Sequence, residues 1–351
     1  MKRRWLIVLF FLLVGAAPMA MAQQPLKVAL IIAQGGLGDL SYNDLAYQGL
    51  QKAAKDFAGK IQVRTVQSND IVSQGESVLR SAAKAGFDLV IDLEFSTADA
   101  LKRVAPDFPN TQFAILNTVV DQPNVTSVMF GEQQGSYLAG ALAAMVTEDT
   151  SIQGINSQKV IGVIGGTKSL GIDKFIVGYI EGAHHVDPAV KVLTSYSNSF
   201  GDPAKGKQMA QAMFEQGADI VYQVAGGTGQ GVIDAAKASG HFAIGVDTDQ
   251  DYLAPGHVLT SMVKHSDVAV YNLIREDLNG KLKGGNTMTL DLAAGGVGLS
   301  PMRYTKDLIP QAQLDQIDQI RSAILDGSIQ PTDITAVSDP QAVLQKLGIG
   351  Q

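Results

Sequence analysis

The sequence predicts an α/β protein made of two similar halves, split near residue 130. Three observations lead there. Short apolar runs alternate with segments of helical periodicity along nearly the whole chain, and the alternation restarts after a long helical stretch of small residues at 133–146. The third is size: 351 residues, 46% of them apolar, suffice for two cores at about 150 residues per domain. Parallel strands with crossover helices follow from this rhythm, because each parallel pairing needs a long connection.

In order, 26–33 reads as a strand and 41–57 as a helix whose apolar face carries Ala46, Leu50, Ala53 and Phe57. Strands are expected at 61–66, 87–93, 112–116 and 125–130, with helical patterns at 75–84 and 98–105 between them. After the 133–146 helix, strands are expected at 160–164, 192–196, 219–224 and 242–246. One helix shows both ends: Asp202 caps it, Pro203 suits its first turn, and Gly217 follows its end. Another starts at Ser266 and stops near Gly280. The tail from Ser300, with a helix at 311–325, has to pack back onto one half. No flexible linker separates the halves, which suggests that the chain crosses between them more than once.

Charge and composition narrow the function. Lys and Arg number 27 against 34 Asp and Glu, a net charge of −7, so a basic surface for nucleic acid or an anionic membrane is not expected. There is no cysteine, hence no disulfide, thiolate metal site, cysteine nucleophile or thioether-linked lipid. Residues 1–22 read as a cleavable signal peptide: Lys2-Arg3-Arg4, an apolar run from Trp5 to Ala17, and Ala20-Met21-Ala22 before the cut. The run is shorter than the roughly 20 residues that span a bilayer. The expected location is periplasmic, and not as a lipoprotein.

Several motifs fail on inspection. Gly201-Asp-Pro-Ala-Lys-Gly206-Lys207 begins like a phosphate-binding loop, but Gln208 stands where a hydroxyl should hold magnesium, and Pro203 removes an amide. A capped helix start explains it better. His184 and His185 are adjacent on a helix, about 100° apart, and poorly placed to share a metal. No cofactor and no metal site is expected. Gly226-Gly227-Thr228-Gly229 follows a strand and opens a helix, either as a plain turn or as one whose amides approach a ligand. Asp247 and Asp249 close a buried strand. Metal ligands, acid–base pair and acceptors for ligand hydroxyls compete there, and the last fits best with no histidine nearby in sequence.

The run Gly35-Gly36-Leu37-Gly38-Asp39-Leu40-Ser41-Tyr42-Asn43 resembles the corresponding turn of the basic membrane protein family, solute-binding proteins of ABC importers related to purine nucleoside receptors. The resemblance continues in Phe130-Gly131-Glu132-Gln133-Gln134-Gly135, in Gly201-Asp202-Pro203, and most densely from Gly245-Val246-Asp247-Thr248-Asp249 to Met262-Val263-Lys264. Gly295-Gly296-Val297-Gly298 closes it. It implies a type I periplasmic-binding fold, two doubly wound lobes with three crossovers, and no enzymatic activity. Residues 23–130 with about 262–285 would form one lobe, and 131–261 with about 286–351 the other.

By the same resemblance the solute is a purine nucleoside, handed to an ABC permease. Tyr42 and Phe200 would stack on the base and Asn43 address its edge. Asp247 and Lys264 would hold the ribose, Gly226 and Gly227 would line the wall, and Asp39 would belong to the same site. Asn117 stands where many members carry aspartate. Glu94 stands where a glycine is more usual, so it either reaches the cleft or faces solvent, the second being the favoured reading. A free base, riboflavin or a sugar is the alternative solute; an exported nucleoside hydrolase built on Asp247 and Asp249 is the alternative class.

Overall fold

The computed structural model describes residues 24–349; the predicted leader at 1–22 lies outside them. The first half runs β1 (Leu26–Ile31), α1 (Tyr42–Asp56), β2 (Ile61–Val66), α2 (Ile71–Lys84), β3 (Leu89–Asp92), α3 (Ala98–Val104), β4 (Gln112–Leu116) and β5 (Val125–Phe130). The second runs α4 (Glu132–Thr147), β6 (Val160–Gly165), α5 (Leu170–Val186), β7 (Lys191–Tyr196), α6 (Pro203–Glu215), β8 (Ala218–Val224), α7 (Thr228–Ser239), β9 (Phe242–Asp247) and β10 (Val258–Lys264). Then come α8 (Ser266–Leu278), β11 (Asn286–Leu290), β12 (Val297–Leu299), α9 (Gln311–Leu325) and α10 (Pro340–Lys346).

Two six-stranded sheets result, ordered β11-β5-β4-β3-β1-β2 and β12-β10-β9-β8-β6-β7. Every pairing is parallel except that of β12 with β10. Period-two alternation sorts the side chains onto the two faces. In β1, Val28 and Leu30 join the core that runs through both lobes, whereas Ala29 and Ile31 join a separate cluster with Val90, Phe113 and Ile115. The fold is the type I periplasmic-binding architecture.

The chain passes between sheets three times, after Phe130, after Lys264 and after Leu290. The lobe limits expected at 262 and 286 therefore shift. The chain stays in the second sheet through Lys264, then returns for α8, which packs on α1, and for β11, which pairs with β5 until Leu290. Sequence periodicity misses β11 because it is a polar edge strand, Asn-Thr-Met-Thr-Leu, with no buried residue. The tail packs on the second lobe through α9 against α4.

The helix capped by Asp202 forms as expected, with the carboxylate accepting from Lys205 N at 3.0 Å. Its Gly206 has a packing reason: a Cβ there would lie 2.0 Å from the Thr228 carbonyl oxygen, where α6 crosses α7. That contact accounts for the glycine of the phosphate-loop look-alike. Among the described residues no helix is long and apolar enough to cross a membrane.

Candidate functional site

Loops at the carboxyl ends of both sets of strands face each other across a cleft, where parallel α/β sheets place ligands. It encloses about 790 Å³ of atom-free space, part of it continuous with solvent. Of the sequence-predicted site residues, Asp39, Tyr42, Asn43, Asn117, Phe200, Gly226, Asp247 and Lys264 line it. Gly227 sits just behind, where a Cβ would come within 3.1 Å of the Phe200 carbonyl oxygen.

The first wall is built from the β1–α1 turn. Asp39 is buried and caps α1, accepting from Ser41 N at 2.9 Å, Asn43 N at 2.9 Å and Asp44 N at 3.1 Å. Burial raises its pKa, opposed by those amides. The Asn43 amide is committed to the turn, accepting from Ala33 N at 2.9 Å and donating to the Gln34 carbonyl at 3.1 Å. Asn43 thus shapes the loop, while it also lines the cleft and keeps a second N–H on Nδ2. The Tyr42 ring lines the cleft while its hydroxyl donates to the Leu93 carbonyl at 3.2 Å and accepts from Asn117 Nδ2 at 2.9 Å. Burial holds that hydroxyl's pKa well above the usual value.

Asn117 and Asp247 each end or follow a strand with positive φ, +68° and +66°. L-residues seldom adopt this conformation, and such strain clusters at functional sites. Asp247 accepts from Ser41 Oγ at 2.6 Å, a bond between lobes. Gln250 Nε2 donating to the Leu40 carbonyl at 3.0 Å and Gln230 Nε2 donating to the Asp39 carbonyl at 3.1 Å also join the lobes. Burial pushes the Asp247 carboxyl up to about 6, against the pull of Lys264. Asp249 instead turns out to Arg303 at 2.7 Å, so the two aspartates do not form a pair.

Lys264 lines the cleft with Asp247, and its ammonium has another carboxylate partner. Lys264 pairs with Glu132 at 2.9 Å, and Glu132 in turn meets Lys174 at 3.2 Å, which reaches Asp333 at 3.1 Å. Glu132 opens α4 and Lys264 ends β10, so this chain of charges ties together two of the three crossings. Burial alone would raise Glu132, but the two lysines hold its pKa below the ordinary value. The Lys264 ammonium also lies 4.9 Å, 5.1 Å and 5.2 Å from the ring centres of Phe130, Tyr42 and Phe175, within cation–π range.

Sequence reasoning missed Glu132, Lys174 and Phe175. The available signal was Lys174 next to the apolar run Phe175-Ile176-Val177 of a largely apolar helical stretch, where an ammonium must find a buried partner. Glu94, read as solvent-facing, is 1% exposed and lines the cleft. Its carboxylate folds inward because it caps the short turn that follows, accepting from Ser96 N at 3.1 Å and from Gln34 N at 3.0 Å.

Two α/β lobes crossed three times by the chain, closing on a cleft lined by aromatic and buried polar side chains, define a solute-binding protein. The match to known proteins specifies which. A family model described as PnrA-like ABC transporter substrate-binding protein, Bmp, covers residues 26–334, and the chain belongs to this family. A Lactococcus lactis protein named ABC transporter nucleoside-binding protein BmpA is 36% identical over 84% of this chain and 87% of its own. A solved solute-binding protein of an ABC transporter system from Aeropyrum pernix superposes with TM-score 0.84 at 27% identity, covering 92% of this chain and 98% of that one. The protein is thus a substrate-binding component of an ABC transporter, with a small-molecule solute and a permease as its partners.

One expectation is overturned by these relatives. A Pyrococcus horikoshii protein, 33% identical over 78% of this chain and 68% of its own, is named an uncharacterized lipoprotein. The location read from the sequence, periplasmic and not a lipoprotein, conflicts with that finding and does not stand. The cysteine count on which it leaned concerns one chemistry of attachment and does not by itself set where a protein resides.

Proposed function

We propose that the solute is a purine nucleoside, gripped by lobe closure and released to the permease. What supports this reading is that one aromatic side chain from each lobe, Tyr42 and Phe200, lines a single cleft together with the buried carboxylate of Asp247. A planar neutral base stacks on such rings, each stack being worth about 1–3 kcal/mol per base. Asp247 accepts from ribose hydroxyls, and Lys264, with three N–H donors and one taken by Glu132, has donors left for ribose oxygens. Gly226 and Gly227 let the β8–α7 turn approach Phe200 without a side chain in between. The name of the Lactococcus relative points the same way.

The test is titration calorimetry with guanosine, inosine, adenosine, the free bases, riboflavin and ribose. Nucleosides are expected to bind with about micromolar Kd or tighter. Binding of riboflavin or a sugar with none of any nucleoside refutes the assignment.

A further inference from the structure

We infer that the first-lobe wall is preset as a hydrogen-bond acceptor, so that among purine nucleosides the cleft selects the guanine type over the adenine type. The inference rests on the nucleoside reading above. It comes from the direction in which two amide side chains are held.

The first is Asn117. Tyr42 has one hydroxyl proton, and the Leu93 carbonyl, which can only accept, takes it at 3.2 Å. The Tyr42 oxygen must then accept from its other neighbour, and Asn117 Nδ2 supplies that donor at 2.9 Å. Turning the amide over would draw the Tyr42 proton away to Asn117 Oδ1 and strand the Leu93 carbonyl, which accepts from no other group among the described residues. Asn117 Oδ1 is thereby fixed as the outward atom, and it is buried without a partner. A buried carbonyl lacking a donor is uncommon in a folded protein and calls for an explanation. In a ligand cleft, a donor on the solute is that explanation.

The second is Gln34. Its Nε2 donates to Glu94 Oε1 at 3.2 Å, and the Glu94 oxygens also accept from the backbone N–H groups of Gln34 and Ser96. One of the two N–H groups of this amide is therefore taken, which sets its direction. Its Oε1 accepts from no group among the described residues, although Gln34 lines the cavity.

The polar atoms of Asn117 and Gln34 that have no partner at all among the described residues are thus carbonyl oxygens, whereas each amide nitrogen has one bond made. The Watson–Crick edge of guanine carries adjacent N–H donors, the ring N1–H and the exocyclic 2-amino group. Adenine offers one amino group beside a ring nitrogen that accepts, and hypoxanthine offers N1–H alone. An acceptor wall therefore ranks guanosine first, inosine second and adenosine last, because adenine N1 would face an oxygen with no proton between them. Tyr42 acquires a role besides stacking: its hydroxyl is a positioning group for Asn117.

Calorimetry on the full-length protein decides the matter. The unmodified protein is expected to bind guanosine at least about 10-fold more tightly than adenosine, with inosine between. Tyr42→Phe keeps the ring but frees the amide to turn, and the guanosine-to-adenosine ratio should fall several-fold. Asn117→Asp in the Tyr42→Phe background should restore it, since a carboxylate accepts in either orientation. Equal binding of guanosine and adenosine by the unmodified protein overturns the inference without any variant having to fold. A folded Tyr42→Phe protein with an unchanged ratio overturns it as well. Both results leave nucleoside binding intact, whereas absence of any nucleoside binding refutes the reading beneath it.

Discussion

The two polar regions of the cleft solve burial in different ways. In the first-lobe wall, Gln34 and Asn43 are neutral amides oriented by neighbours that can only accept or only donate, and Asn117 is oriented through the Tyr42 hydroxyl, whose proton goes to the Leu93 carbonyl. At the crossings, Lys264, Glu132, Lys174 and Asp333 are charged and are satisfied by pairing along a line. Neutral groups in the wall lose little when a donor is misplaced but change what the site prefers. Charges at the crossings say little about preference but are costly to strand. Substitutions in the wall should therefore alter selectivity, and substitutions at the crossings should alter stability.

The largest expected effect is at the centre of the charged line. Glu132 is 4% exposed and carries both buried lysines. Glu132→Ala leaves Lys264 without its ion-pair partner and Lys174 with only Asp333, and breaking a buried pair in this way costs about 3–5 kcal/mol. Urea denaturation should show that loss as a shifted midpoint. A loss below about 1 kcal/mol would erase the distinction between the two regions.

The second effect is on pH dependence, and it separates stability from binding. Burial raises the Asp247 carboxyl from an ordinary 3.8 to about 6, so between these values the folded protein holds a proton that the unfolded chain releases. Stability from this group is therefore greatest at low pH and falls as pH rises through about 6, by an amount on the order of 3 kcal/mol. Asp92, pushed by burial to about 7, slopes the same way. The stabilising ionisation of Glu132, whose pKa is lowered, is lost only below its ordinary value of 4.5. Urea unfolding of the free protein should show greater stability at pH 5 than at pH 7, with Asp247→Asn removing part of that difference. Nucleoside affinity should run the other way, weakening toward pH 5 as the ribose acceptor gains its proton. A free protein that becomes less stable from pH 7 to pH 5 contradicts this.

Third in size is the stack. Phe200→Ala removes one ring of the proposed sandwich and should weaken nucleoside binding by roughly 10–100-fold, equivalent to about 1–3 kcal/mol. Its effect on the urea midpoint should be smaller than that of Glu132→Ala, because the ring is only half-buried. Calorimetry and denaturation on the same two variants give the crossed pattern that the comparison requires.

How legible each region was in the sequence follows from the same physics. The wall was readable as residue types, since Tyr42 opens α1 after the glycine turn and Asn117 directly follows β4. Hydrogen-bond direction was not, because it depends on the Leu93 carbonyl and on Glu94, which come from another strand end. Glu94 was misread because strand alternation stops at Asp92, and the side chain then folds back to cap Ser96. The fold was legible where an apolar or alternating run is bounded by turn residues: the buried strands β4 and β5, and the edge strand β2, begin and end where periodicity put them. It was not legible at β11 and β12, which are short, partly exposed edge strands with no apolar run. The charged line was hidden for a different reason: its members are scattered from 132 to 333, and only the crossings bring them together.

The smallest expected effect tests whether burial, rather than charge, sets the cost at the crossings. Lys174 has two carboxylate partners at nearly equal distances, Glu132 at 3.2 Å and Asp333 at 3.1 Å. The Glu132 side chain is 5% exposed and that of Asp333 is 32% exposed, so the same cation meets one dry partner and one wetter one. Removing Asp333 leaves Lys174 with Glu132 and with the Phe130 carbonyl, to which it donates at 2.7 Å. Water can reach the side that Asp333 vacates. Asp333→Ala is accordingly expected to cost no more than about 1 kcal/mol, as partly exposed pairs do, with a contribution that shrinks further in high salt. Because Thr335 lines the cleft and its backbone N–H donates to Asp333 at 3.0 Å, a modest change in nucleoside affinity should accompany the loss. Equal losses for Asp333→Ala and Glu132→Ala in urea denaturation would mean that pairing alone, irrespective of solvent, governs the line, and the contrast between the two regions would have to be redrawn around charge.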